Sequence, residues 1–228
     1  VPHRLRVISE IPLTRGLGSS SSAIVAGIEL ADQLGKLHLS LEEKVQFATE
    51  IEGHPDNVAP AILGGLVAST YLEGKTISVK LQFPQVALVA YVPSKPLLTS
   101  ESRKALPRRL PFKKAVAASS VANTLIAALV NDQLDKVKIL VESDQFHEGY
   151  RRKLVPHLDK IRAIAQNYRT YGTYLSGAGP TVMTLIAYED RSLFVESLEK
   201  QFKTGTVLNL NCTDRGSEVQ HQKVQQDS

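Results

Sequence analysis

The stretch IPLTRGLGSSSSAIVAGIELA, residues 11–31, sets a Gly-Leu-Gly turn and four consecutive serines directly against an apolar, Ala-rich segment. A flexible Gly/Ser linker would not run into a patterned helix. Ile24, Ile28 and Ala31 recur at i, i+4 and i+7, which predicts a helix over 19–34 with those residues on its buried face. A helix start leaves backbone N–H groups unpaired and carries partial positive charge. Glycines ahead of it let the backbone approach a ligand closely, and serine hydroxyls add short donors. Gly16, Gly18, Ser19, Ser20 and Ser21 are thus placed for an anion such as a phosphate chain, with Arg15 adding charge. The plainer explanation is a serine-capped helix after a tight turn. The string is neither the Walker pattern, which closes on Gly-Lys-Ser/Thr, nor a dinucleotide fingerprint.

At 228 residues the chain can bury a proper core, as one large domain or two small ones. A composition of 43% hydrophobic and 22% charged residues is that of an ordinary globular protein. Aromatic residues are 6% and tryptophan is absent, which argues against a stacking platform for single-stranded nucleic acid. A net charge of +4 and an isoelectric point near 9.1 suit small anionic ligands but are too weak to indicate nucleic acid. The basic run RKALPRRLPFKK (103–114) is interrupted by prolines and lacks interleaved aromatics. The single cysteine, Cys212, excludes an internal disulfide and a Cys-based zinc cage, and reads as a small buried hydrophobe. No apolar run approaches the ~18 residues of a membrane span, and no charged-then-apolar signal segment opens the chain. A cytoplasmic protein with neither nucleic-acid nor membrane partners is the expectation. The opening HRLRVISEIP alternates like a strand already under way, with Leu5, Val7 and Ile11 on one side. The chain starts at Val1, so this beginning reads as a cut through a larger protein.

Downstream, Ser40-Leu41-Glu42-Glu43 has the form of a capping box and predicts a helix over 40–51 that buries Leu41, Val45 and Ala48. Two strands are expected around Glu73-Gly74, and VALVAYVP (86–93) reads as a strand covered on both faces. Pro93, Pro96, Pro107 and Pro111 then punctuate a loop. Helices follow over 113–131 and 133–143, and another from Pro156. YGTYLSGAGPTVMTLIAY (171–188) gives strand, glycine turn and strand; a helix over 190–203 and the strand GTVLNLNC (205–212) complete the pattern. From Gly216 the tail is polar and expected to fray. This mixed order suits an α+β protein of two lobes, with the boundary near 80–85, better than a doubly wound sheet.

The string Pro12-Leu13-Thr14-Arg15-Gly16-Leu17-Gly18-Ser19-Ser20-Ser21-Ser22 closely resembles the phosphate-binding loop of the GHMP kinase superfamily. LSGAGPTV (175–182), with Gly177 and Gly179, resembles the superfamily's late glycine turn, which closes near the first loop. EGHPDNVAPAILGGL (52–66), TSESRKALP (99–107) and DQFHEGYRRKLVP (144–156) resemble the homoserine kinases within it, in their order, and the likeness runs to about Gly216. It implies an incomplete ribosomal-S5-like N-terminal lobe that binds ATP (1–82), a ferredoxin-like C-terminal lobe (83–216) and a polar tail (217–228). It also implies a front segment in complete members that this chain lacks, without which the opening strand would present an unpaired edge.

The implied reaction is ATP-dependent, Mg²⁺-assisted phosphorylation of L-homoserine. Its zwitterionic substrate has a carboxylate that suits guanidinium forks, and Arg103 and Arg151 match the positions that bind the amino-acid end. Arg152, Arg108 and Arg109 are read as solvated charges. His54 and Asn57 match residues near the substrate and its attacking hydroxyl, and Thr99 could bond in the same pocket. Magnesium favours carboxylate and phosphate oxygen; Glu52 is the expected ligand and Glu50 its rival. Asp56 is the general-base candidate by chemistry, against a turn-forming Asx role, since phosphoryl transfer can run largely on positioning and charge neutralisation. A mevalonate-type kinase and a non-catalytic nucleotide-binding relative are the competing functions, and a homodimer is left open.

Overall fold

The computed structural model describes residues 4–221. Among these, residues 20–83 and 212–221 form one unit, and residues 4–19 and 84–211 form another. Each unit is therefore discontinuous in sequence.

The smaller unit begins with α1 (Ser19–Gly35) and α2 (Leu41–Glu52). The capping box forms: Ser40 Oγ accepts the Glu43 N–H at 3.2 Å, and Glu43 Oε2 accepts the Ser40 N–H at 2.8 Å. Gly53 ends α2 in the left-handed conformation, its N–H donating to Thr49 O. The buried faces differ from those expected. On α1, Ser21, Val25, Ile28 and Asp32 turn inward while Ala31 is exposed. On α2, Lys44 joins Val45 and Ala48, and Leu41 is exposed. The cause is a buried ion pair, with Lys44 Nζ lying 2.9 Å from Asp32 and 2.8 Å from Glu29. Buried charges are tolerated when paired in this way. Lys44 accordingly holds Asp32 below the usual carboxylate range, and Glu29 and Asp32 push Lys44 up.

Short α3 (Val58–Leu63) packs Val58, Ala59 and Ile62 onto this core. The hairpin of β1 (Leu66–Leu72) and β2 (Lys75–Leu81) pairs Leu72 with Lys75. Its turn residues Glu73 and Gly74 both have positive φ, as a tight two-residue hairpin demands. The returning chain then seals the unit. Gly65 N–H donates to Thr213 O at 2.7 Å, Lys80 Nζ reaches Asp214 O at 2.7 Å, and Ser217 Oγ donates to Glu29 at 2.6 Å. Gly216 packs so closely that a Cβ there would sit 1.8 Å from Ile62 O. Gly216 and Ser217 are thus docked where fraying was expected; residues 222–228 of the polar tail lie outside the described residues.

The larger unit is built on β3 (Ala87–Val92), followed by α4 (Thr99–Lys104), α5 (Phe112–Val130), α6 (Leu134–Val141) and the single turn α7 (Glu148–Arg151). Then come α8 (His157–Ala165), β4 (Thr170–Leu175), β5 (Val182–Ile186), α9 (Arg191–Gln201) and β6 (Thr206–Leu210). The sheet order is β4-β5-β3-β6 with every neighbour antiparallel. With α8 and α9 as crossovers this is the ferredoxin-like arrangement, into which α4–α7 are inserted. Val89, Leu158, Ile161, Ile186 and Phe194 are its buried centre.

Two expectations fail here. Residues 4–10 form no strand, and Leu5 and Val7 are 71% and 77% exposed. Alternation alone does not make a strand; its backbone needs a ladder partner, and no described ladder includes this segment. In addition, α5, 19 residues long, is long and apolar enough to span a bilayer by length and composition, with mean hydropathy 1.2 over an 18-residue window. The expectation of no such run overlooked it because Lys113, Ser119, Ser120, Asn123 and Thr124 interrupt the apolar pattern. It packs against α6 in this unit.

Candidate functional site

In the larger unit two glycine turns interlock. Gly16 has φ +74°, and a Cβ there would lie 2.4 Å from Ser176 O and 2.8 Å from Gly179 O. Only glycine admits both that conformation and that approach. Ser176 Oγ donates to Gly16 O at 2.7 Å, and Thr181 N–H donates to Arg15 O at 3.3 Å. The second turn is closed on itself by Gly179 N–H to Ser176 O, and Gly177 and Gly179 both have positive φ. Thr14, also at positive φ, accepts the Leu97 N–H. The guanidinium of Arg15, expected among the phosphate ligands, donates to Pro93 O, Ser94 O and Leu13 O. These bonds tie the loop to the segment that follows β3. Pro12 leads into the loop, Leu13 is exposed, and Leu17 and Gly18 carry the chain to α1.

The same unit gathers the substrate-side candidates of its own sequence. Ser102 of α4 is fully buried and donates to Ala178 O at 2.7 Å, which fixes α4 against the second glycine turn. Thr99 and Arg103 lie on that short helix. Arg151 is 7% exposed; Nη1 donates to Gly177 O at 3.0 Å and Nε to Ser102 O at 3.3 Å. Three elements therefore meet at one guanidinium. Nearby, Glu148 is 5% exposed, with Arg162 at 2.8 Å and the Leu175 N–H at 3.3 Å. Burial pushes its carboxyl up in spite of Arg162. Asp144 goes the other way: burial would raise it, but the N–H groups of Glu148, His147 and Phe146 together hold it below the usual range. Thr181 Oγ1 is buried with no partner among the described residues.

In the smaller unit, Ser20 Oγ donates to Glu52 Oε2 at 3.3 Å, bringing the start of α1 to the end of α2. Glu50, the rival carboxylate, instead accepts from Gln46 at 2.6 Å, and Gln46 also bonds the β1–β2 turn at Gly74 O. Ser21 is 2% exposed, and its Oγ has no hydrogen-bond partner among the described residues. Ser19 and Ser22 are the helix's first and fourth residues. Asn57 stands at the N-cap of α3, yet its side chain makes no capping bond, so the helix end does not consume the amide. His54 Nδ1 lies 3.8 Å from the Asp56 carboxylate, whose side chain is 75% exposed. Among the described residues no three His, Cys, Asp or Glu side chains form a metal cage. A hydroxyl beside one carboxylate does suit Mg²⁺, which commonly takes one or two protein oxygens and completes its shell with phosphate and water.

Residues that sequence reasoning did not single out are Ser102, Asp144, Glu148 and Ser176. Only DQFHEGYRR carried a signal for any of them, an Asp and a Glu spaced ahead of a candidate arginine.

The family model described as GHMP kinases N terminal domain matches residues 1–65, and that described as GHMP kinases C terminal matches residues 125–204. The chain is 50% identical over 218 residues to the homoserine kinase of Enterococcus faecalis, covering 96% of this chain and 76% of the relative. A solved structure from Listeria monocytogenes assigned to homoserine kinase is 43% identical with a TM-score of 0.82, covering 94% of this chain and 74% of that one. The homoserine kinase structure from Cytophaga hutchinsonii gives 26% identity and the same TM-score of 0.82 over 91% of this chain and 69% of that one.

Proposed function

Because the chain belongs to the homoserine kinases of the GHMP kinase superfamily, we propose that it transfers the γ-phosphoryl group of ATP to the side-chain hydroxyl of L-homoserine. The product is O-phospho-L-homoserine, on the path to threonine. The observation that carries the reading is the phosphate loop itself, a Gly16 turn locked to Ser176 and Gly179 that leads without a break into the N-terminus of α1.

Roles follow from chemistry and placement. Backbone N–H groups from Gly16 to Ser19 are the donors assigned to phosphate oxygens, with the α1 dipole favouring negative charge. Ser21, buried without a partner among the described residues, supplies a further hydroxyl. Glu52 and Ser20 are the residues that would hold Mg²⁺, which, when bound, neutralises charge on the phosphates. Their mutual contact supports Glu52 over Glu50, which is engaged by Gln46. Arg103 and Arg151 anchor the substrate carboxylate, Arg151 with its plane fixed by two carbonyls. Thr99, His54 and Asn57 orient the amino and hydroxyl groups. Asp56, its side chain 75% exposed, remains the candidate general base, beside a transfer that runs chiefly on positioning of the hydroxyl. The substrates are small and water-soluble, and we place the enzyme in the cytoplasm.

The test is ADP release with Mg²⁺-ATP and, in turn, L-homoserine, mevalonate, galactose and L-serine. Turnover that depends on L-homoserine alone supports the assignment. Turnover of mevalonate or galactose with none for L-homoserine would refute it.

A further inference from the structure

The structure assigns Asp144 and Glu148 a role that sequence alone did not suggest: they are positioning residues that hold Arg151 in place to receive the substrate carboxylate. This rests on the reading of Arg151 given above.

Arg151 is the last residue of α7, a helix of only four residues. So short a helix cannot sustain itself, because nucleation is unfavourable and most of its donors lack intrahelical partners. Packing does not supply the missing support on one side. A cavity of about 150 Å³ opens there, lined in part by Ala118, Leu125, Leu140, Asp144, His147 and Glu148. Polar anchors take over instead. The Asp144 carboxylate accepts three backbone N–H groups, from Phe146 at 3.2 Å, His147 at 2.8 Å and Glu148 at 2.6 Å. These are donors that the helix start would otherwise leave bare, and a carboxylate at that end also complements the helix dipole.

Glu148 makes the second anchor. It lies three residues before Arg151, on the same side of the turn. Its carboxylate takes Arg162 of α8 and the N–H of Leu175 on β4, so α7 is tied to the sheet. Arg162 is itself fixed by two bonds to Thr173 O. At the far end Arg151 reaches Ser102 O and Gly177 O. Those bonds use two of the five N–H donors of a guanidinium and set its plane, leaving the rest of the fork to meet a carboxylate. The donors aimed at substrate thus inherit their direction from a turn that Asp144 caps and Glu148 tethers. No role in bond making is implied for either residue.

The test is a double-mutant cycle on the enzyme, read as KM for L-homoserine, KM for ATP, kcat and thermal midpoint. Asp144→Ala and Glu148→Gln should each raise KM for L-homoserine about tenfold or more while leaving KM for ATP unchanged, since a misplaced anchor weakens one substrate only. Asp144→Asn keeps one acceptor oxygen and should recover part of the loss. In an Arg151→Ala background, Asp144→Ala should add nothing further to KM for L-homoserine. Ile161→Val, in the core of the same unit, controls for stability: it should lower the midpoint without moving either KM. The inference is overturned if Asp144→Ala lowers only the midpoint, as Ile161→Val does, or if its effect on KM persists undiminished beside Arg151→Ala. If Arg151→Ala itself leaves KM for L-homoserine unchanged, the reading of Arg151 as the substrate anchor is what fails, and the inference falls with it.

Discussion

Replacing Gly16 by alanine tests the interlock of the two glycine turns. The new methyl would meet three backbone atoms of the second turn, Ser176 O at 2.4 Å, Gly179 O at 2.8 Å and Gly179 N at 2.9 Å. Backbone cannot swing aside as the end of a side chain can. A left-handed conformation costs a non-glycine residue about 1–2 kcal/mol, and forcing an extra group into a packed position adds about 1–3 kcal/mol. The sum is about 2–5 kcal/mol, or roughly 4–20 °C in thermal midpoint for a protein of this size. Gly177→Ala provides the internal comparison. It lies in the same unit at φ +53°, but its Cβ would find nothing nearer than Gly16 O at 3.8 Å. Only the conformational part remains, about 1–2 kcal/mol. Circular dichroism melts and urea midpoints of both variants give stability, and KM for ATP gives the effect on the loop. Gly16→Ala should be clearly the less stable of the two and should raise KM for ATP. Equal losses for Gly16→Ala and Gly177→Ala would refute the argument that the turns interlock through the glycine backbone.

The two candidate metal carboxylates separate in the same way: Glu52→Gln should raise the Mg²⁺ concentration for half-maximal rate by about 10- to 100-fold. Glu50→Gln, which loses only an exposed bond to Gln46, should stay within about twofold; the reverse order in a Mg²⁺ titration would exchange their roles. The two buried histidines should also cost stability with acid from about pH 6.5 downward. Burial depresses His157 below the ordinary histidine range, although its ring nitrogen bonds Pro180 O at 2.8 Å, and burial likewise depresses His147. A depressed folded value means that protons bind the unfolded chain preferentially, so this stability is complete above the unfolded value and is lost as pH falls towards the folded one. Thermal midpoints measured between pH 5 and 8 should show this slope reduced in His157→Gln, the raised Glu148 carboxyl acting in the opposite sense in both proteins; a slope unchanged by His157→Gln would contradict it.

Local signals made much of this fold readable. Ser40 and Glu43 form their reciprocal cap because both partners sit within one turn, and Glu73-Gly74 takes the positive φ values that its hairpin requires. The glycine-serine loop was legible for the same reason, since turn, cap and helix follow one another along the chain. What escaped depends on residues distant in sequence. The inward face of α1 is one position off because Lys44 makes it possible to bury Asp32. The bonds from Arg15 to the carbonyls of Pro93 and Ser94 were not foreseen, because those partners lie far along the chain. Gly216 and Ser217 looked like tail, yet they close against Ile62 and Glu29. The alternating pattern of residues 4–10 had no way to signal whether a ladder partner was at hand. In the candidate site, the arginines could be named from their strings, but not the carboxylate that caps α7 or the carbonyls that aim Arg151.

The central claim is transfer of phosphate to one particular oxygen, and ³¹P NMR of the products reads that directly. Incubation with Mg²⁺-ATP and L-homoserine should produce, alongside ADP, a phosphomonoester resonance coupled to the two protons of the side-chain carbon that bore the hydroxyl. ADP accompanied only by inorganic phosphate, or phosphate attached elsewhere on the amino acid, would contradict the account.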